Sequence, residues 1–270
     1  MYWFYRISND KYYAYNDTID NQEETEVSED LIDEKDGLYS QYYEDWNAFT
    51  EQPAYKLGER VNDIKSKSNE TLKDEYNALL EGCIQQRAFR NLRDPLNQSD
   101  YTSRVISWLE GTDFYTCPAS TIYHESHPGG LLEHTLNVYN NVVDFWNTKK
   151  FNRKVNIDEA ALCALVHDWC KIGLYQVYQR NVKDEQTGVW HQVDAYRRKS
   201  FDHPFGHGVS SMFMANRMFR LTEEESLAIR WHMGMFNVCD SEVNEYEQAC
   251  EKYPLVLLLQ FADHSAITEY

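Results

Sequence analysis

Residues 157–173 read Ile-Asp-Glu-Ala-Ala-Leu-Cys-Ala-Leu-Val-His-Asp-Trp-Cys-Lys-Ile-Gly, and the fold turns on this stretch. The run from Ala160 to Val166 is wholly apolar, so the element that carries it is buried. Its length, with Gly173 as a natural stop, predicts a helix over 157–171. That helix drives into an adjacent polar pair, His167-Asp168. A carboxylate taken into a protein interior is costly unless it meets a cation. The pair is therefore a candidate site, and a helix-terminal aspartate facing water is the alternative.

Outward from this centre the spacing is also helical. Leu72, Tyr76, Leu79, Leu80, Cys83, Ile84 and Phe89 recur at threes and fours and predict a helix over 69–92, ended by Asp94-Pro95. Ser99 caps a shorter helix carrying Val105, Ile106, Trp108 and Leu109, which stops at Gly111. Leu131, Leu132, Val138, Val142 and Phe145 place another over 130–150. Helices are further expected over 208–219, from the capping-box pattern Thr222-Glu-Glu-Glu225 to His232, and from Pro254 through Asp263. Two places break the pattern. Between 174 and 199 the period falls to two around Asp184-Glu-Gln-Thr-Gly188, which predicts an inserted β-hairpin. Residues 2–7 and 11–15 are aromatic-rich and flank Ser8-Asn9-Asp10, a second hairpin. The fold class is thus mainly α: a helical bundle over 69–270 with a hairpin inserted at 174–199, preceded by a segment, 1–68, with a small hairpin and an acidic run.

Charge is distributed unevenly. The net charge is −18, and residues 1–50 hold 13 acidic against 3 basic side chains, −10 of that total. The acidic run 17–36 reads as a solvated loop or as a docking surface for a basic partner. Long nucleic acids are held by basic surfaces, so no large nucleic-acid footprint is expected, although a nucleotide needs only a few cations. No apolar run approaches the ~20 residues that span a bilayer, so no membrane partner is expected. The six cysteines, Cys83, Cys117, Cys163, Cys170, Cys239 and Cys250, include no C-x-x-C pair. They read as reduced thiols in a cytoplasmic protein.

All nine histidines lie between 124 and 264. His134 stands near the start of an apolar helix, behind Pro128-Gly129-Gly130. Asp263 is embedded among Leu257, Leu258, Leu259, Phe261, Ala262, Ala266 and Ile267, and a buried aspartate needs a partner. Imidazoles and carboxylates from separate helices that converge on a divalent ion satisfy these demands together, with His207 and His232 available to a second ion. A core histidine already satisfied by its neighbours is the competing reading for each ring taken alone.

The order His134, His167-Asp168, Asp263 resembles the HD-domain metal-dependent phosphohydrolases. The segment Pro128-Gly-Gly-Leu-Leu-Glu-His134 is similar to the entry of the first metal helix in the branch containing YhaM-type 3′–5′ exoribonucleases. His167-Asp-Trp-Cys-Lys-Ile-Gly173, His203-Pro-Phe-Gly-His-Gly208 and Ala228-Ile-Arg-Trp-His-Met-Gly234 are similar to bacterial and phage HD hydrolases. The resemblance covers roughly 100–270. It implies His134, His167, Asp168 and Asp263 around one ion, with Asp168 bridging to a second completed by His207 and His232; phosphate hydrogen bonding by the last two in a one-metal enzyme is the alternative. It implies a metal-activated water that attacks a phosphoester, with two ions about 3.5–4 Å apart.

Lys171 is the candidate for stabilising the phosphoryl oxygens, or else a helix-end lysine complementing the dipole. His124, which matches the family pattern, is a candidate leaving-group or substrate contact. Arg230 could reach a phosphate. Arg180 and Arg197 belong to a basic cluster on the inserted hairpin, with Lys183, Arg198 and Lys199, that reads either as a lid or wall of the substrate site or as a plain solvated hairpin. His127, His191, His203 and His264 read as structural or exposed. Mixed imidazole and carboxylate ligands suit Mn²⁺, Fe²⁺, Co²⁺, Ni²⁺ or Zn²⁺. The expected activity is hydrolysis of small nucleotides or short or cyclic oligonucleotides. Alternatives are a 3′–5′ exonuclease on single strands, a dNTP triphosphohydrolase, and a non-enzymatic partner-binding protein with a structural metal.

Overall fold

The computed structural model describes residues 3–8, 11–16, 25–27, 57–90, 98–148, 151, 154–199, 205–236 and 239–267. At the N-terminus, β1 (Trp3–Ser8) and β2 (Lys11–Asn16) pair antiparallel, with Ser8 opposite Lys11, as expected of a hairpin. A third strand, β3 (Thr25–Val27), adds to β2 from within the acidic run, where the sequence predicts a loop. Two β-branched residues flanking Glu26 favour the extended form, and Val27 falls opposite Tyr12.

Eight α-helices follow among the described residues: α1 (Asn69–Arg90), α2 (Gln98–Glu110), α3 (Gly130–Trp146), α4 (Ile157–Val166), α5 (His207–Phe219), α6 (Glu223–Arg230), α7 (Val243–Lys252) and α8 (Pro254–Ile267). The hairpin β4 (Tyr175–Lys183) and β5 (Trp190–Arg198) sits between α4 and α5, where the change of period places it. No helix among the described residues is long and apolar enough to cross a membrane.

The apolar stretch that opened the reading is the hub. Every residue of α4 from Ala160 to Val166 is buried, and the helix packs against α1, α3, α5, α6 and α8. Tyr76 of α1 donates its hydroxyl to Leu165 O (3.0 Å) and accepts from Trp169 Nε1 (3.1 Å), which locks the end of α4 in place. Residues 57–61 lie against α3: Asn140 accepts from Val61 N (2.7 Å) and donates to Val61 O (2.8 Å), and Tyr139 Oη takes Gly58 N (3.1 Å).

The helix expected over 130–150 ends at Trp146, and two further helix ends and one whole helix differ from expectation. The helix predicted over 157–171 ends at Val166, because Asp168 (φ −110, ψ 17) leaves the helical region and a single 3₁₀ turn, Trp169–Lys171, follows. The helix predicted to reach His232 ends at Arg230 after its capping box at Thr222, with Trp231 (φ −104, ψ 14) outside it. Helix α7 was not foreseen. Its apolar residues Val243, Tyr246, Ala249 and Cys250 do recur at threes and fours, diluted by the intervening acids.

Candidate metal centre

Six segments bring their polar residues together. The loop before α3 supplies His124 and Glu125, and α3 supplies His134. The end of α4 and its 3₁₀ turn supply His167, Asp168, Cys170 and Lys171. The start of α5 and the turn after α6 supply His207 and His232, and α8 supplies Asp263. Two glycines permit the approach. A Cβ on Gly130 would lie 1.9 Å from Glu125 O, and one on Gly208 would lie 2.1 Å from Arg230 O. The first contact sets the 119–125 loop against α3; the second sets the start of α5 against the end of α6, so that the rings of His207 and His232 stand 5.2 Å apart.

The rings form a continuous arc. His124 is 5.0 Å from His134 between centroids, His134 is 5.4 Å from His167, and His167 is 5.0 Å from His232. All the metal candidates except His207 are buried, Asp168 at 3% exposure and Asp263 at 4%. Asp168 divides the set with its two oxygens. Its Oδ2 faces His134 Nε2 (3.5 Å), His167 Nε2 (3.4 Å) and Lys171 Nζ (2.6 Å). Its Oδ1 faces His207 Nε2 (2.7 Å) and His232 Nε2 (3.7 Å). Asp263 Oδ1 stands 3.1 Å from His134 Nε2 and 3.6 Å from His167 Nε2.

The tautomers follow from the outer contacts. His167 Nδ1 is 2.7 Å from Ala164 O, and His232 Nδ1 is 2.7 Å from Ile229 O. A carbonyl only accepts, so both rings carry hydrogen on Nδ1 and turn Nε2 inward as the nitrogen available to bind an ion. Those two inward atoms find no hydrogen-bond partner among the described residues, although both are buried. Buried polar atoms without partners are rare and point to something they bind. Ligands about 2.1 Å from one ion stand about 3.0–3.4 Å apart in octahedral or tetrahedral geometry. Most of the separations above lie close to that range. The groups His134–His167–Asp168, His167–His232–Asp263 and Asp168–Cys170–His207 could each hold a metal ion.

The electrostatics are those of a cation site. Burial raises the carboxyl pKa of Asp168, but Lys171, His167 and His207 outweigh it and hold the group well below the usual carboxylate range. Burial acts the same way on Asp263 and is overcome by the neighbouring imidazoles of His134 and His167. Burial lowers His167, yet Asp168 and Asp263 lift it to about 10; burial also lowers His207, while Cys170 and Asp168 lift it to about 10. In the protein alone, protons on these rings answer the carboxylates, and a divalent ion would take their place. His232, by contrast, is pushed down to about 3 by burial and by its neighbour His167.

The remaining candidates are spread more widely. Lys171 is buried, not the exposed helix-end residue that was the alternative, and Asp168 outweighs burial to raise its pKa. Both ring nitrogens of His124 are buried without partners among the described residues, and burial, then His134 and Lys171, push it down to about 4. Both residues line a cavity of about 660 Å³ that also reaches Asp168, His207 and Asp263. Arg230 lines it too, but its guanidinium donates to Glu242 Oε1 (3.2 Å) and Glu245 Oε2 (2.9 Å) and lies 4.2 Å over the Trp231 ring. Arg180 and Arg197 are exposed on the hairpin and do not line the cavity; Arg198, opposite Tyr175 at the base of the hairpin, does. His127, His191 and His264 are exposed, and His203 lies outside the described residues.

Sequence reading passed over Glu125 and Cys170. Glu125 Oε2 is 4.0 Å from His134 Nδ1, and Cys170 Sγ is 3.1 Å from His207 Nδ1. Their only signal in the sequence is adjacency, one residue after His124 and two after Asp168. The six cysteines form no disulfide. No protein-family model, curated protein or solved structure matches this chain.

Proposed function

We propose that this chain is a metal-dependent phosphohydrolase of the HD type that cleaves phosphoester bonds of nucleotides or short or cyclic oligonucleotides. One observation carries the reading. Imidazole Nε2 atoms from four segments face two buried carboxylates, and those of His167 and His232 are unsatisfied there. The donor set fits two ions: His134, His167, Asp168 Oδ2 and Asp263 for one, Asp168 Oδ1, His207 and His232 for the other. Mixed nitrogen and oxygen ligands favour Mn²⁺, Fe²⁺, Co²⁺, Ni²⁺ or Zn²⁺. Divalent ions held there supply Lewis acidity to a phosphoryl oxygen and lower the pKa of water toward neutrality.

The chain's own residues do the rest. Asp168 raises the pKa of Lys171, so the ammonium stays charged at neutral pH and faces developing negative charge on phosphoryl oxygens. It is not a base. His124, neutral with a pKa of about 4, is no proton donor at pH 7; it hydrogen-bonds and orients the leaving group from the cavity wall. Arg198 adds positive charge along the same wall, while Arg230 is engaged by Glu242 and Glu245. A cavity of about 660 Å³ is of the size that holds a small ligand, and the −18 charge disfavours long polyanions. Both points support a mononucleotide or short oligonucleotide over a polymer.

The test is turnover with Mn²⁺ on a panel: bis-p-nitrophenyl phosphate, cyclic nucleotides, cyclic dinucleotides, dNTPs and labelled oligonucleotides. Activity on at least one member is expected, abolished by His167→Ala and by Asp168→Ala in folded protein. Full activity in either variant refutes the site. No turnover by metal-loaded protein on any member, with tight capture of a basic protein that is lost on deleting residues 1–50, would favour the partner-binding alternative.

A further inference from the structure

A second cavity, of about 830 Å³, adjoins the metal cavity. Tyr123, His124 and Ile267 line both. The two differ in chemistry. The first holds Asp168, Asp263 and His207 of the metal centre, with Lys171 and Arg198. The second contains none of these; its charged side chains are Glu125 and Glu133 against Lys65. Two carboxylates against one ammonium do not suit a phosphate. They suit a neutral group that offers hydrogen-bond donors.

The wall of this cavity is a stripe of α3. Glu133, Asn137 and Asn141 recur every four residues, so they share one face of the helix. All three are half-buried. Asn141 donates to Ala262 O at 2.9 Å, which closes α3 against α8, and His127 Nε2 stands 3.3 Å from Glu133 Oε2. Asn137 lies between them, and its amide pairs with no group among the described residues. Tyr123 is 83% exposed where the two cavities meet. An aromatic ring left in water at the mouth of a cavity offers a stacking face to a planar ligand.

We propose that this second cavity is a nucleoside subsite that selects a base with an exocyclic amine, adenine or cytosine. Tyr123 stacks the base, and the amide of Asn137 and the carboxylate of Glu125 take its hydrogen-bonding edge. An asparagine pairs bidentately with the amine and ring nitrogen of adenine, and a carboxylate accepts from the amine of cytosine. A carboxylate only accepts, so it opposes the carbonyl oxygen that hypoxanthine or uracil puts in the same place. The phosphate end would lie in the metal cavity, with the junction at His124, the ring already assigned to the leaving group. The inference rests on the phosphohydrolase reading for that end alone.

Nucleosides test it without phosphate, metal or turnover. Adenosine, inosine, cytidine and uridine are titrated into metal-free protein in EDTA, followed by calorimetry and ligand-detected NMR. Adenosine should bind about 5–100-fold more tightly than inosine, and cytidine than uridine. Asn137→Leu should collapse the adenosine-to-inosine ratio toward one. Tyr123→Ala should weaken all four about 5–100-fold and leave the ratios in place. Equal binding of the four, or none, by a protein that turns over bis-p-nitrophenyl phosphate with Mn²⁺ overturns the subsite alone. An adenosine preference that survives Asn137→Leu, or affinities indifferent to Tyr123→Ala, overturns the assignment of those residues. An amine preference without turnover of any substrate supports the subsite and removes the hydrolase reading, and the absence of both removes the two together.

Discussion

Arg87 of α1 reaches across the domain to Glu225 in the first turn of α6, and neither side chain meets solvent appreciably: 9% and 0% of the side chain is exposed. Glu225 also closes the capping box with Thr222 N at 2.7 Å, and Arg87 donates in addition to Phe219 O (3.0 Å) and Arg220 O (3.2 Å). One guanidinium thus joins α1, the end of α5 and the start of α6, whose far end leads to His232. Arg87→Met keeps the volume and removes the charge, which strands a buried carboxylate. Breaking a buried pair from one side costs about 3–5 kcal/mol, a large part of the 5–15 kcal/mol that holds a typical domain. With a urea m value of about 3 kcal/mol/M, the midpoint should fall by about 1–1.7 M. Adding Glu225→Gln removes the stranded charge and preserves the cap, since glutamine serves at that position. The double variant should recover more than half of the loss. A residual deficit of about 1–3 kcal/mol should remain from the uncovered Phe219 carbonyl. Urea denaturation of the three proteins reads this directly. A single-variant loss under about 1 kcal/mol, or a double variant no better than the single, would refute the claim that Glu225 is held as a buried ion.

Three further outcomes follow from the geometry. Tyr76→Phe keeps the ring and orphans Leu165 O and Trp169 Nε1–H, so denaturation should show a loss of about 2–4 kcal/mol; a loss near zero would mean that water replaces the hydroxyl. Gly208→Ala puts a methyl into the backbone of Arg230, which must shift; a stability loss of about 1–3 kcal/mol with weakened Mn²⁺ binding is expected, and unchanged Mn²⁺ titration would show that His207 does not depend on this approach. In metal-free protein kept in EDTA, His167 and His207 have folded pKa values of about 10 against about 6.5 unfolded. Their contribution is full below about pH 6.5 and is lost as pH rises through 10. His232, lowered to about 3, opposes folding once pH falls below about 6.5, and Asp168 and Asp263 lose their contribution at lower pH still. The melting temperature should therefore decline on both sides of about pH 6.5, and a flat profile from pH 6.5 to 10 would refute the protonated imidazoles.

Much of the architecture could be read because apolar spacing is local. The run from Ala160 to Val166 fixes α4 as the buried hub, and the change of period at 174 places the hairpin. His134 and Asp263 stood out as polar residues inside apolar helices. What escaped the sequence depends on contacts between distant segments. The break at Asp168 turns its carboxylate and Lys171 to one side, and propensity over 157–171 does not reveal it. The meeting of His207 with His232 depends on Gly208 lying against Arg230, a contact between two helix ends. Arg197 and Arg198 are neighbours in the hairpin's basic cluster, but successive strand residues face opposite sides, and of the two Arg198 lines the cavity.

The proposed reaction asks an acidic chain to attract an anion, and the buried charges account for how. Asp168 and Asp263 are held ionised and Lys171 is held protonated, so the fixed charge of the centre is a single net negative once the rings are neutral ligands. One divalent ion would turn that to a single positive charge, too little to balance a phosphate dianion. Two would leave three positive charges, enough to bind the dianion and remain cationic. On the proposed reading Lys171 would do more than stabilise oxygens: it would cancel one carboxylate and shift a two-ion site toward anions. Charge more than about 10 Å from the centre is largely screened at 0.1 M salt. On the proposed reading the local field of the cavity would govern binding of a small phosphate, and the global charge would disfavour long polyanions. Lys171→Met should on this account weaken phosphate binding more steeply than metal binding, and the reverse order would show that its charge serves Asp168 alone.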